Sequence, residues 1–351
     1  MNKKITSVLL VSIFLTSIGA ILAADGDVIW EKIGPGGNAY GVAVDSKDNI
    51  IVTGTGGTIK YSSNGNLLTT IIFSGKGVAV DSKDNIIVTD DSDGTMKFDP
   101  NGNALWASTL NFEGEAVAVD SKDNIIVTDD SDGTMKFDPN GNALWASTIS
   151  FNGKGVAVDS KDNILVNDYY FTTRKYSSNG IFIWEKTFDS GGSYNRSYGV
   201  ATDSLDNVIV SGYNGNSVST YASIIVKYSP VGTKLWDIID NTEPRWSYKV
   251  AVDSYNNIIA AGGRYLSYDW LTKKYDPNGN KIWERSFDFA GNNDEGCAVA
   301  IDSKNDIIVT GYVTNGGGKY YTVKYQGTPP RSKSLPIAKI LEILKRNKDK
   351  K

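Results

Sequence analysis

The stretch Gly77–Asp90, GVAVDSKDNIIVTD, decides the fold: two apolar runs flank a short polar turn. Residues Val78–Thr109 recur letter for letter at Val117–Thr148, and looser copies run almost from end to end. The first Asp of the phrase stands at Asp45, Asp81, Asp120, Asp159, Asp203, Asp253 and Asp302, seven copies spaced by 36, 39, 39, 44, 50 and 49 residues. A period of about 40 residues matches a propeller blade of four strands.

Each copy carries four strand signals. Strand A, GVAVD, alternates Val with Gly or Ala, which suits an inner strand where neighbouring blades converge. The turn S-K-D-N follows, rich in side chains that bond their own backbone. Strand B, IIVTG, is apolar with little polar relief, as expected of a strand covered on both faces. Strand C carries a Lys-aromatic pair in every copy: Lys60-Tyr61, Lys97-Phe98, Lys136-Phe137, Lys175-Tyr176, Lys227-Tyr228, Lys274-Tyr275 and Lys324-Tyr325. Asn-Gly, a strong hairpin signal, leads to strand D at Gly65, Gly102, Gly141, Gly180 and Gly279, with Val231-Gly232 in blade five. Four residues past that Gly stand Trp106, Trp145, Trp184, Trp236 and Trp283; blade one has Thr69 instead.

Blade seven lacks a strand D. After Lys324-Tyr325 comes Gly327-Thr328-Pro329-Pro330, and two prolines remove the donors a strand needs. The missing piece sits at the other end, where Gly26 to Trp30 repeats the step from Gly to Trp. The sequence therefore predicts an all-β, seven-bladed β-propeller over 25–326, closed by an N-terminal strand that completes the last blade. Closure removes exposed strand edges. Residues 327–351 read as a linker and a short basic amphipathic helix, with Ile337, Ile340, Leu341 and Leu344 at helical spacing.

Blades two and three, GVAVDSKDNIIVTDDSDGTMKFDPNG, resemble NHL repeats. GVATDSLDNVIVSGY and AVAIDSKNDIIVTGY are similar to the SBBP-type repeat of secreted bacterial and archaeal propellers. The segment YDPNGNKIW (Tyr275–Trp283) resembles the docking repeat of quinoprotein-like propellers. The NHL and SBBP resemblances cover about residues 27–326 and imply mostly binding and scaffolding modules. Lyases resembling the NHL class rely on histidine or a histidine-bound metal.

Composition narrows the chemistry. The chain has no histidine, which removes Ser-His-Asp catalysis, histidine general bases and every histidine-containing metal site. Its one cysteine, Cys297, allows no internal disulfide and reads as a small buried apolar residue at the start of strand A. The net charge is −4, with +2 in residues 1–24 and +6 in 327–351, so the body carries −12. Such a body does not suit nucleic acid. Lys3-Lys4 and the uncharged run Ile5 to Ala24 read as an export signal over 1–24, or as an uncleaved membrane anchor.

Antiparallel order puts the A–B and C–D turns on one face of the ring and the D–A and B–C connections on the other. The first set is nearly uniform. Growth of the repeat falls in the second set, in blades four to seven, and predicts long loops at 189–198, 239–248 and 288–296 (D–A) and at 212–221, 262–270 and 311–320 (B–C). They hold the candidate ligand-binding residues Tyr194, Arg196, Tyr213, Arg245, Trp246, Arg264, Tyr265, Tyr268, Asp269, Trp270 and Tyr320. Tyr, Trp and Arg dominate binding hot spots, and loops on a rigid scaffold are where such residues work.

Two acidic turns, from Asp90 to Gly94 and from Asp129 to Gly133, cluster oxygen ligands suited to calcium. They lack a distal bidentate Glu and read better as tight turns. The seven strand-A aspartates read as capping their own turns. The expectation is a secreted or cell-surface binding module for an extracellular glycan, peptide or protein. No cofactor or metal is expected, nor nucleic acid, and residues 335–351 offer a possible membrane-surface contact. Two rivals stand beside it: a carboxylate-only glycoside hydrolase or lyase using Asp269, Asp294 or Glu295, and a purely structural envelope protein.

Overall fold

A computed structural model describes residues 24–327, apart from 91, 109–111, 132, 148–151, 193, 216–220, 243–244, 265–268, 289–293 and 315–317. The expected export segment and basic helix lie outside the described residues. Twenty-eight strands form seven four-stranded antiparallel sheets arranged as a ring of blades. Six blades are made in simple chain order; blade one is Ala39–Val44, Ile50–Gly54, Gly57–Tyr61 and Leu67–Ile71. In the seventh, Val28–Gly36 pairs antiparallel with Lys319–Tyr325 and is the outermost strand, as the sequence predicts.

The seam imitates an ordinary C–D turn with two chain ends. Gly26 N donates to Gln326 O (2.8 Å) and Gln326 N to Asp27 O (2.7 Å). Gly26 has φ +87°, within the +78° to +92° of the six covalent turn glycines Gly65, Gly102, Gly141, Gly180, Gly232 and Gly279. A side chain there would be strained. It would also strike Trp283, because each turn glycine lies against a residue of the preceding blade's strand D, a tryptophan in all but one case. The indoles are half-buried or buried between blades. Trp106 Nε1 donates to Pro139 O (3.2 Å) and Trp184 Nε1 to Pro230 O (3.1 Å), each in the next blade.

Strand B is the centre of each blade's core. Ile50–Gly54 is buried at every position, as is Ile86–Asp90, because blades cover both faces. Strand C is equally buried in blade one (Gly57–Tyr61), yet it contains Lys60. A buried ammonium needs a partner, and Asp45 at the end of strand A supplies it at 2.9 Å. The pair recurs in every blade: Lys97–Asp81 (2.8 Å), Lys136–Asp120 (2.7 Å), Lys175–Asp159 (2.7 Å), Lys227–Asp203 (2.8 Å), Lys274–Asp253 (3.2 Å) and Lys324–Asp302 (2.6 Å). The same ammoniums reach across blades: Lys60 to Pro100 O and Lys97 to Pro139 O, both at 3.1 Å. At the seam Lys274 meets the Asp25 carboxylate instead (3.1 Å).

Each aspartate also caps its turn, as expected. Asp81 Oδ1 accepts the amides of Lys83 and Asn85, and Oδ2 accepts the Asn85 side chain. Burial pushes the Asp45, Asp81, Asp120, Asp159 and Asp203 carboxyls up, but the lysine, asparagine and turn-amide donors outweigh it and hold all five below the ordinary range.

The rest of S-K-D-N latches blade to blade. Ser82 donates from N and Oγ to the two carboxylate oxygens of Asp123 in the next blade, both at 2.8 Å. Ser303 does the same to Asp48 at 2.9 Å, closing the circle from blade seven to blade one. The acceptors hold left-handed φ of 60° to 65°, which Asp and Asn tolerate. Blades six and seven supply Asn256 and Asn305, which accept only the serine amide.

The expected long loops are corrected. The extra residues of blades five to seven lengthen strands: strand A is Tyr194–Thr202, Arg245–Val252 and Asp294–Ile301, against Ala116–Val119 in blade three. Strand B is Val208–Gly215, Ile258–Arg264 and Ile307–Val313. These strands run on toward the variable face.

Candidate binding site

Near the start of strand A the A–B ladder slips by one residue in blades one, four, five, six and seven, leaving Tyr40, Lys154, Tyr198, Tyr248 and Cys297 as bulge residues. In blades two and three the strand begins directly after Lys76 and Glu115 at the same place. A bulge re-aims its side chain. Tyr40, Lys76, Glu115, Tyr198 and Cys297 all face one cavity of about 290 Å³ on the propeller axis, with Lys249, Glu295 and Tyr312. Deeper in, the channel narrows where Gly41, Gly77, Ala116, Gly155 and Gly199 bring the blades together. A Cβ on Gly77 would lie 3.0 Å from Ala116 Cα, which explains the small residues there.

Lys249 breaks that pattern, since the other six blades have Gly or Ala at its position. Its ammonium donates to Lys154 O (2.8 Å) and Tyr198 O (3.0 Å), tying blade six to blades four and five. Burial pulls the Lys249 amine below the ordinary lysine range, against the nearby Glu115 charge. Glu115 pairs with Lys76 at 3.0 Å and Lys154 at 3.6 Å. Burial raises the Tyr198 hydroxyl, helped by its bond to Tyr213, and raises Tyr312, helped by Glu295. The Cys297 thiol is pushed up by burial and by Glu295. Cys297 is small, as expected, but only half-buried, and it lines the channel.

From the channel mouth an aromatic series runs to the rim. Ring centroids lie 5.9 Å apart for Tyr213–Tyr198, 6.1 Å for Tyr198–Tyr169 and 5.7 Å for Tyr169–Tyr170. The Arg196 guanidinium sits 4.1 Å over Tyr169 and 5.7 Å from Tyr194. Tyr170 is 64% exposed and Tyr194 46%. Tyr169-Tyr170-Phe171 stands where blade two has Asp91-Ser92-Asp93. Phe171 is buried with φ +63°, a strained state for a bulky residue. Asp168 Oδ1 accepts Tyr170 N and Thr172 N at 2.8 Å each, fixing the turn that presents both tyrosines. Asp90 and Asp129 likewise accept the amides of Ser92 and Ser131, as tight turns do.

Of the expected ligand residues, Tyr194 and Arg196 are brought together at this rim. Tyr213 is buried behind Tyr198. Trp270 and Tyr320 are core. Tyr320 donates to Gly57 O (2.9 Å) and accepts from Gly56 N (2.8 Å), bridging blades seven and one. Trp270 is wholly buried between Phe287 and Tyr321. Arg264 pairs with Glu284 (2.9 Å) and Asp269 (3.6 Å) on blade six. Arg245 and Trp246 lie in strand A of blade six, their side chains outside the described residues, as are Tyr265 and Tyr268. Among the carboxylates weighed for hydrolysis, Asp294 is fully buried, Asp269 faces Arg264 and Glu295 lines the channel. The sequence signals missed were the tyrosine pair in a short turn and Lys249 inside an otherwise repeated phrase.

Fold and surface together define a repeat β-propeller, a scaffold often used for interaction. A family model described as outer membrane protein assembly factor BamB matches residues 16–222, more than half of the chain. The chain belongs to that family of propellers. No curated protein matches it.

Proposed function

We propose that the chain is an exported, non-catalytic interaction scaffold that holds a protein or peptide partner on the D–A and B–C face, at blades four and five. The observation that carries this is the rim of Tyr169, Tyr170, Tyr194 and Arg196, with two exposed tyrosines around a stacked guanidinium. Tyr and Arg supply contact area at low entropic cost and dominate hot spots. The strained Phe171 turn holds the tyrosines in place before binding, which reduces the ordering cost. The repeat phrases similar to NHL and SBBP modules support a scaffold. The namesake of the family, an outer membrane assembly factor, supports an envelope location. Residues 1–24 serve export as a cleaved signal or an anchor, and 335–351 add a basic amphipathic contact.

A peptide and glycan array probed with wild type and a Tyr170→Ala/Tyr194→Ala variant tests this. Wild-type signal on peptides that falls at least tenfold in the variant is the expected result. Equal signals from both proteins reject the rim, and signal on glycans alone replaces the partner class.

A further inference from the structure

The axial cavity uses none of the rim residues, and its chemistry is more specific than a repeat scaffold requires. Seven copies of strand A agree at the aspartate, yet five residues upstream they carry Tyr40, Lys76, Glu115, Lys154, Tyr198, Tyr248 and Cys297. Packing alone needs no such variety there, because Gly and Ala one residue later already set the spacing of the blades.

The charges in the cavity are not equivalent. Glu115 is bracketed by two ammoniums, Lys76 and Lys154. Glu295 bonds the Tyr312 hydroxyl. Lys249 has two of its three protons on main-chain oxygens of blades four and five. Among the described residues no carboxylate lies within ion-pair distance of it. A half-buried ammonium held only by neutral oxygens, beside a Glu115 already shared between two other lysines, gains from an incoming carboxylate. Tyr40, Tyr198 and Tyr312 wall the same space, offering ring faces and hydroxyls. A volume of about 290 Å³ suits a body near the size of one amino-acid residue.

We propose that the axial cavity is a binding site for a carboxylate borne on a body of about one residue, with Lys249 as its counter-ion. The carboxylate belongs either to a free small acid or to the C-terminus of a peptide entering from the D–A and B–C face. The site stands on different residues from the rim patch, so the failure of either reading leaves the other intact.

The full chain tests it by calorimetry with N-acetyltyrosine, N-acetyltyrosinamide, and an acetylated tripeptide ending in tyrosine as the acid or the amide. Both acids are expected to bind at least tenfold more tightly than their amides. Lys249→Gly installs the residue type of the other blades and is expected to lose at least tenfold in affinity while still melting cooperatively, at a temperature lowered by the two lost inter-blade bonds. Lys249→Met keeps the length without the charge and is the second variant should the glycine disturb folding. Cys297, the chain's one cysteine, gives an independent readout. Bound acid should slow its alkylation by iodoacetamide at mildly alkaline pH, and the amide should not. A tripeptide acid binding tighter than N-acetyltyrosine assigns the chain end, and the reverse assigns the free acid. Equal affinity for acid and amide, no binding at millimolar concentration, or unchanged affinity in both Lys249 variants overturns the proposal.

Discussion

The two ends of strand A, five residues apart, behave oppositely. At the aspartate end all seven blades repeat one constellation of carboxylate, turn amides and buried ammonium. At the bulge end no pattern is kept, and phenols, an ammonium, a carboxylate and a thiol are turned to the axis. The difference teaches where a repeat protein can vary. Side chains that tie one blade to the next must match a partner in every neighbour. Side chains at the mouth of the channel need match only each other and whatever enters.

The largest effect should come from breaking the ring itself. Deleting Asp25–Ile33 removes the strand paired with Lys319–Tyr325 and the Trp30 contact to Ser63 O (3.0 Å). The melting temperature should drop by more than about 10 °C, several kcal/mol for a domain of this size; a calorimetric trace like wild type would refute strand closure.

Next comes the aspartate end. Lys97→Met leaves Asp81 buried without its ammonium and should cost about 3–5 kcal/mol in urea unfolding, with part regained in Lys97→Met/Asp81→Asn. The pH dependence follows from the same groups. The five depressed carboxyls release their protons more readily folded than unfolded, so their stabilisation is fully present above the unfolded carboxyl value of about 3.9. It is lost as pH falls through the folded values. Melting temperature should be level through neutral pH and fall steeply below about pH 4, and a fall already complete at pH 6 would contradict the pairing.

The smallest effect separates the two kinds of latch. Ser82→Ala deletes one hydroxyl bond to a carboxylate and should cost about 1–2 kcal/mol. Ser204→Ala loses no such bond, since only its amide reaches Asn256, and should stay within about 0.5 kcal/mol. Equal costs for the two serines would mean that the carboxylate latch contributes nothing special.

These contrasts also explain what the sequence makes legible. Period, turn chemistry and the step from Gly26 to Trp30 suffice for seven blades and a borrowed strand, because each is local or repeats. Asp81 capping its own turn is equally local. The partners of Ser82 and Lys97 in the next blade are not, since nothing in one copy states how it sits on another. Residue type misleads at the variable face for a related reason. Tyr194 and Trp270 look alike as candidates, but strands that run on past the expected loop start put one on the rim and the other in the core. Lys249 is visible as a single departure from Gly or Ala, and only the converging blades show that the departure reaches the axis.

The borrowed strand has a consequence for the history of each molecule. Contacts that close the ring join residues about 250 positions apart: Asp25 to Lys274, Asp48 to Ser303, Gly56 to Tyr320. Pairings of such separation form slowly and late. The strand made first is therefore the strand that finds its place last. Until blade seven is synthesised, Val28–Gly36 has no edge to join, and six blades must persist as an open arc whose end strand is unpaired. An incomplete chain is thus distinguishable from a finished one by that edge alone, so truncated products should associate with one another and full-length rings should not.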